Sequence, residues 1–230
     1  PAHMSSAPPS RATSSAQDAS VIAQYEGWAR VYDLVWHRYM QKTLPVLQRA
    51  AGIAPDERVL DLACGTGELE RRVADATPGA EVVGVDLADG MVDRARQKLR
   101  GAPNIRFATA DVHHLPFDNR TFDAVVCANT FHYFTRPHVV LQEAGRVLRP
   151  GGRLVILDWC RDLWTCRVMD AVLHRVDPAY AGCYTVGEMA AMLQAASFTV
   201  HRRFRYRFDL IWGMMVFDAR PSPTETSPLS

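Results

Sequence analysis

Three acids and two glycines stand where an apolar run gives way to a helical one, and that combination can hold a polar ligand. In Val59-Leu60-Asp61-Leu62-Ala63-Cys64-Gly65-Thr66-Gly67, an apolar stretch with one acid (Arg58 to Leu62) leads into a Gly-x-Gly turn, and a helical pattern starts at Glu68. Glycines let the chain turn sharply there while its backbone passes close to a ligand. The start of the helix would present free N–H groups to that ligand. A second strand pattern, Glu81 to Val85, ends in Asp86, 21 residues after Gly65. An acid roughly 20 residues past such glycines reaches ribose hydroxyls in dinucleotide folds, so the ligand carries a nucleoside.

Charge narrows the choice of nucleoside. A dinucleotide wants a third glycine that packs the helix onto the strand, and that position holds Glu70. Asp61 and Glu68 beside the turn would repel a pyrophosphate. They suit a ligand with an ammonium group and no phosphate, which points to S-adenosylmethionine. The plainer alternative is a doubly wound domain whose turn holds nothing.

Composition sets the outer limits. A chain of 230 residues, 48% hydrophobic and 22% charged, supports one soluble domain with a normal core. The net charge of +1 creates no field that would draw it to nucleic acid or membranes. The cluster Arg202, Arg203, Arg205 and Arg207 alternates with Phe204, Tyr206 and Phe208, as in a strand with one wet face. Five scattered cysteines (Cys64, Cys127, Cys160, Cys166, Cys183) include no Cys-x-x-Cys pair. An odd count without a secretory segment implies free thiols in a reducing, cytoplasmic compartment and no metal site. No apolar run reaches the roughly 18 residues of a membrane helix. Oligomeric state stays open.

The elements that must position the ligand follow in strict order. Pro1-Ala2-His3 reads as a tag remnant before Met4, and the Ser- and Ala-rich stretch to Ser20 is expected to be disordered. Residues 21–52 carry aromatic residues at helical spacing, a helical lid or a core helix. Strand 59–62, helix 68–75, strand 81–85, helix 88–100, strands 105–109 and 122–127, helix 137–148 and strand 153–158 then alternate. Such alternation predicts a mainly parallel sheet covered on both faces. Residues 159–197 form a helical insertion on the substrate side, with Thr185-x-x-Glu188 as a capping box. Strands 198–207 and 209–217 close the sheet as an antiparallel pair, within a single domain over 21–220. A disordered tail is expected from Pro221.

These motifs resemble those of class I S-adenosylmethionine-dependent methyltransferases, and among them the small-molecule group that includes the ubiquinone/menaquinone-biosynthesis type. The resemblance spans about Tyr25 to Phe217. Besides the glycine motif it rests on Gly84-Val85-Asp86-Leu87-Ala88-Asp89-Gly90-Met91, Asp111-Val112-His113-His114-Leu115-Pro116-Phe117, Phe122-Asp123-Ala124-Val125-Val126 and Glu143 to Leu154. It implies a Rossmann-like α/β fold: seven strands, mostly parallel, with an antiparallel last hairpin, helices on both faces and an N-terminal helical lid. By position it implies that Asp61 and the backbone of Ala63 and Gly65 hold the methionine end of the cofactor while Gly67 keeps the turn open. Asp86 would accept from both ribose hydroxyls, with Leu87 and Met91 packed on adenine. Asp111 would accept from the adenine amino group, and the Val112 N–H would reach a ring nitrogen. Asn129 would face the methionine moiety or its sulfonium, and Tyr25 and Tyr32 would close over the cofactor. The family's third motif often carries Asp-x-Glu; here His113 and His114 follow Asp111, with a solvated or packing role expected for both.

Methyl transfer is an in-line displacement at a carbon the sulfonium already activates, so alignment supplies much of the rate, about 7–11 kcal/mol. A general base is needed only where the acceptor must lose a proton. His132, just past the fourth strand, and Asp158, at the end of the fifth, are the candidates, each with a structural role as the alternative. Acceptor choice would fall to Trp36, Tyr39, Phe131, Tyr133, Trp159, Trp164, Tyr180 and Tyr184, several of which could instead be core. Together they suit a small apolar or aromatic acceptor, in natural-product or secondary metabolism. The rival functions are another reaction on the same cofactor, NAD-dependent oxidoreduction, methylation of RNA or protein, and non-catalytic binding.

Overall fold

The computed structural model describes residues 32–207 and 212–222, with side chains from residue 37 onward. The expectations for Tyr25, and for the side chains of Tyr32 and Trp36, lie outside the described residues, as do those for the N-terminal stretch to Ser20 and for the tail from 223. In chain order the elements are α1 (Tyr32–Ala51), β1 (Arg58–Leu62), α2 (Glu68–Ala76), β2 (Glu81–Asp86), α3 (Asp89–Lys98), β3 (Ile105–Thr109) and β4 (Phe122–Ala128). A 3-10 turn (Phe131–Tyr133), α4 (Pro137–Val147), β5 (Leu148–Trp159), α5 (Trp164–Val176), α6 (Val186–Ala195), β6 (Phe198–Arg207) and β7 (Gly213–Pro221) follow.

The seven strands make one sheet in the order β3-β2-β1-β4-β5-β7-β6. β1 to β5 run parallel, and β7 joins β5 and β6 antiparallel. The fold is the Rossmann-like arrangement expected, helices covering both faces.

Period-two alternation sorts the apolar side chains between two layers. Val59, Val82, Val126, Val155, Leu157 and Val216 meet Leu44 and Leu47 of α1 and Leu69 and Val73 of α2. Leu60, Val83, Val125, Leu154, Ile156 and Phe217 meet Val140 and Leu141 of α4 and Met189 and Leu193 of α6. Burial on both faces is what near-continuous Val/Ile/Leu runs require. Arg153 locks α1 to the sheet: its guanidinium is paired with Glu57 at 2.6 Å and donates to the Ala51 and Gly52 carbonyls that end the helix.

Local chemistry sets several boundaries. Thr185 and Glu188 do form a capping box at the start of α6. α1 is one helix through Pro45 rather than two pieces. The last strand begins at Gly213, four residues later than expected, so Pro221 pairs with Phe198 instead of opening the tail. The shift leaves Trp212 to stack on Trp159, with ring centroids 4.3 Å apart. β6 is the sheet edge, and no helix covers its outer part. Phe204 is therefore 38% exposed among the arginines, and only Tyr206 packs inward.

Phe217 is fully buried at the middle of β7. Phe217→Ala is expected to cost ~3–5 kcal/mol, read as a lower urea midpoint with an unchanged slope.

Candidate functional site: the crevice at the strand-order reversal

β1 and β4 are neighbours, yet the chain leaves them in opposite directions, β2 and β3 to one side and β5 to the other. Their C-terminal ends are thus uncovered, and ligands of open α/β sheets bind in that crevice. A cavity opens there, walled by the turns after β1, β2, β3 and β4 and by α1.

The first wall is the Gly-x-Gly turn. Ala63, Gly65 and Gly67 all have left-handed backbones, with φ of 57°, 55° and 76°. Ala63 and Gly65 face the cavity. Gly67 does not: it caps α2, and a Cβ there would come within 2.9 Å of the Phe107 ring. Its smallness packs the turn down on β3, which is how it keeps the turn's shape.

Asp86 ties this turn to β2. One carboxylate oxygen accepts from the Gly65 N–H at 2.8 Å, the other from the Ala88 N–H at 3.0 Å. Burial raises its pKa, and the backbone N–H groups partly offset that. Each oxygen keeps lone pairs for a further donor. Leu87 and Met91 lie alongside in the same wall.

The third wall holds Asp111, Val112 and His113. His113 is neither solvated nor simple packing. Its backbone N–H donates to Asp111 at 2.9 Å and its Nδ1 lies 2.6 Å from the same oxygen. Burial pushes the Asp111 carboxyl up, but the His113 hydrogen bonds outweigh it and hold the group below its usual range. A histidine in the middle of the motif thus supplies a donor where an acid was the family norm. Spacing alone could have suggested this, since a side chain two residues after an aspartate folds back on it in an Asx-type turn.

The fourth wall is Asn129, in a left-handed conformation with φ 58°. Its Oδ1 accepts from the Tyr39 hydroxyl at 2.7 Å, and its Nδ2 donates to Thr43 at 3.1 Å. Tyr39 in turn accepts from the Trp159 indole N–H at 2.7 Å. This chain fastens α1 over the crevice. Tyr39 and Tyr133 line the cavity; Phe131, Trp159, Tyr180 and Tyr184 stand behind it in the core or packed on it. Trp164 is brought nowhere near the cavity: it is 74% exposed on the outer face of α5, in a stripe with Val168, Val172 and Val176.

His132 and Asp158 meet, but behind the wall. Asp158 accepts from His132 Nδ1 at 2.6 Å, from the His132 N–H at 2.8 Å and from the Trp159 N–H at 2.7 Å. The imidazole stacks on Trp159 at 4.1 Å and is buried.

Asp61, near the end of β1, also lines the cavity. Glu68, the other acid expected there, also lines the cavity but is paired with Arg71 at 2.6 Å. Beneath Asp61 lies Glu70, fully buried. Asp61 Oδ1 and both Glu70 oxygens meet no N–H or O–H donor among the described residues. A buried polar atom without a partner is costly; Asp61 also lines the cavity, which fits a ligand that brings a cationic donor, and the carboxylate lining disfavours phosphate.

Residues 59–152 match a family model described as a methyltransferase domain. Over 132 residues the chain is 43% identical to the demethylmenaquinone methyltransferase of Thermus thermophilus, covering 55% of each. Over 130 residues it is 39% identical to the malonyl-[acyl-carrier protein] O-methyltransferase of Geobacter sulfurreducens, covering 56% of this chain and 46% of that one. The chain spans about half the length of the curated relatives it matches. The crystal structure of geranyl diphosphate C-methyltransferase from Streptomyces coelicolor A3(2), in complex with Mg2+, geranyl diphosphate and S-adenosyl-L-homocysteine, shares the fold with a TM-score of 0.67 at 17% identity, over 80% of each chain. Residues 59–152 thus match a methyltransferase domain, and the chain is similar there to a relative named for demethylmenaquinone methylation.

Asp158→Ala would strand three donors in the core, at about 1–3 kcal/mol each. The expected result is a loss of ~3 kcal/mol or more in thermal or urea unfolding, with cofactor affinity changed far less, since neither Asp158 nor His132 lines the cavity.

Proposed function

We propose that the chain is an S-adenosylmethionine-dependent methyltransferase that acts on a small apolar or aromatic acceptor. The observation that carries this reading is Asp61, a buried acid on the wall of a Gly-x-Gly crevice whose turn is tied down by Asp86. When bound, the cofactor supplies a methyl group already activated by its sulfonium. The protein's part is then to hold and align. Asp61 takes the ammonium, with the backbone of Ala63 and Gly65 beside it. Asp86, held rigid by two backbone N–H groups, takes the ribose hydroxyls. Asp111, oriented by His113, takes the adenine amino group, and Val112, Leu87 and Met91 frame the ring.

The acceptor end lies by Asn129, Tyr39 and Tyr133, under α1. The pair His132–Asp158 braces this aromatic wall through the stack on Trp159; its buried position favours that role over taking a proton from the acceptor. The rings support an apolar acceptor, as does the likeness to a demethylmenaquinone methyltransferase. Acceptor specificity rests with Tyr39, outside the matched residues, and with Asn129 and Tyr133 inside them. Among the described residues no helix is long and apolar enough to cross a membrane, and no disulfide joins the five cysteines, which suits a reducing compartment.

Calorimetric titration tests the reading. S-adenosylmethionine and S-adenosylhomocysteine should bind and NAD should not. Asp86→Ala removes acceptors for two ribose hydroxyls, worth about 1.5–3 kcal/mol each, and is expected to weaken the first two at least tenfold. Binding of NAD alone would sink the assignment.

A further inference from the structure

The place of the missing third glycine is filled by Glu70, and the structure shows how. Asp61 on β1 pairs across the sheet with Gly84 on β2. Cross-strand partners share a face, and Gly84 has no side chain to put there. A methyl group on Gly84 would overlap Glu70 Oε1 and come within 2.9 Å of the Cys64 side chain. Glu70 reaches down from α2 into that gap and lies against Asp61. Its two oxygens are the only other polar atoms of the nest that, like Asp61 Oδ1, meet no donor among the described residues. Two buried carboxyls in contact cannot both ionise without cost, and one proton held between them satisfies both.

We propose that Glu70 is a positioning residue for the cofactor: its protonated carboxyl donates to Asp61 Oδ1, holds that carboxylate toward the crevice, and lets the pair release a proton when the cofactor's ammonium arrives. This rests on the cofactor reading above. The balance is simple. The empty pair keeps its protons, the ligand brings a positive charge to Asp61, and one carboxyl proton leaves for solvent while the other stays on Glu70.

The surroundings set the direction. Asp86 from β2 faces the pair and disfavours further negative charge there, while the Cys64 thiol of the turn, pushed up by burial and by the same acids, stays neutral. Lys98 of α3 is the nearby cation, but it donates to Thr66 and lies 3.8 Å from Glu68. Burial pushes Glu70 up to about 8, and burial together with Glu70 and Asp86 pushes Asp61 well above the carboxylate range. A raised pKa means that the empty site still holds the proton at neutral pH. A cation favours the proton-free Asp61, so affinity should climb with pH and level off once the empty site has lost that proton.

Calorimetry in buffers of differing ionisation enthalpy counts the protons released, and wild type is compared with Glu70→Gln and Glu70→Met, each first shown folded by thermal melting. Wild type should release protons on binding S-adenosylmethionine or S-adenosylhomocysteine, and none with 5′-methylthioadenosine, which has the nucleoside without the ammonium. Glu70→Gln keeps a donor for Asp61, as the protonated carboxyl does; it should bind within about threefold of wild type and still release the Asp61 proton. Glu70→Met, similar in volume and apolar, should bind about tenfold more weakly, the loss of one hydrogen bond to a charged group. Wild-type binding without proton release, or Glu70→Gln binding as weakly as Glu70→Met, would overturn the proposal while leaving the cofactor reading intact. Failure of wild type to bind any of the three at any pH would overturn both.

Discussion

The site depends on burying negative charge at the ends of β1 and β2 before any ligand is present. Asp61, Glu70 and Asp86 crowd one small space, and each is accommodated differently. Asp86 is met by backbone N–H groups of two successive turns. Glu68, at the rim, is met by Arg71. Asp61 and Glu70 have only each other. The arrangement needs two absences of side chain, at Gly67 for the approach to Phe107 and at Gly84 for Glu70 itself. A chain that paid less attention to its cofactor's charge would have put a glycine at position 70 and left the nest empty.

The opposite side of the crevice is built from neutral hydrogen bonds and stacked rings. Trp159 donates to Tyr39, Tyr39 to Asn129 and Asn129 to Thr43, so α1 is bound to β4 and β5 by one run of contacts. Behind it the rings of Trp212, Trp159 and His132 stack in sequence, held at the far end by Asp158. Such a wall has few freely rotating parts. It offers apolar surface toward the crevice and pairs most of its polar atoms among themselves, which suits an acceptor with little polarity of its own.

The two sides draw differently on the chain. The charged nest lies within residues 59–152, the part that matches the methyltransferase domain and is shared with relatives named for quite different acceptors. The aromatic wall takes Asn129 and His132 from inside the match but also draws on α1, Trp159 and Trp212 outside it. A cofactor common to many enzymes demands the same charges in the same places, whereas acceptors differ in shape, so the segments that meet them are free to diverge.

What was legible in the sequence was whatever depends on neighbours along the chain. Alternating strands and helices, the Gly-x-Gly turn, the step from Gly65 to Asp86 and the Thr185–Glu188 cap are all local patterns, and local patterns carry their own physics. Tertiary structure alone decided which groups became partners. Glu70 read as the absence of a third glycine; only the pairing of Asp61 with Gly84 revealed the hole it fills. His132 and Asp158, 26 residues apart, stood as separate candidates until parallel pairing of β4 with β5 brought them together behind the wall. Trp164 shared a helix pattern with residues that pack, yet the rotation of α5 turned it to solvent. A one-dimensional pattern fixes periodicity and turn chemistry, but contact between distant strands depends on register and on which face each helix presents, and those are settled only when the layers close.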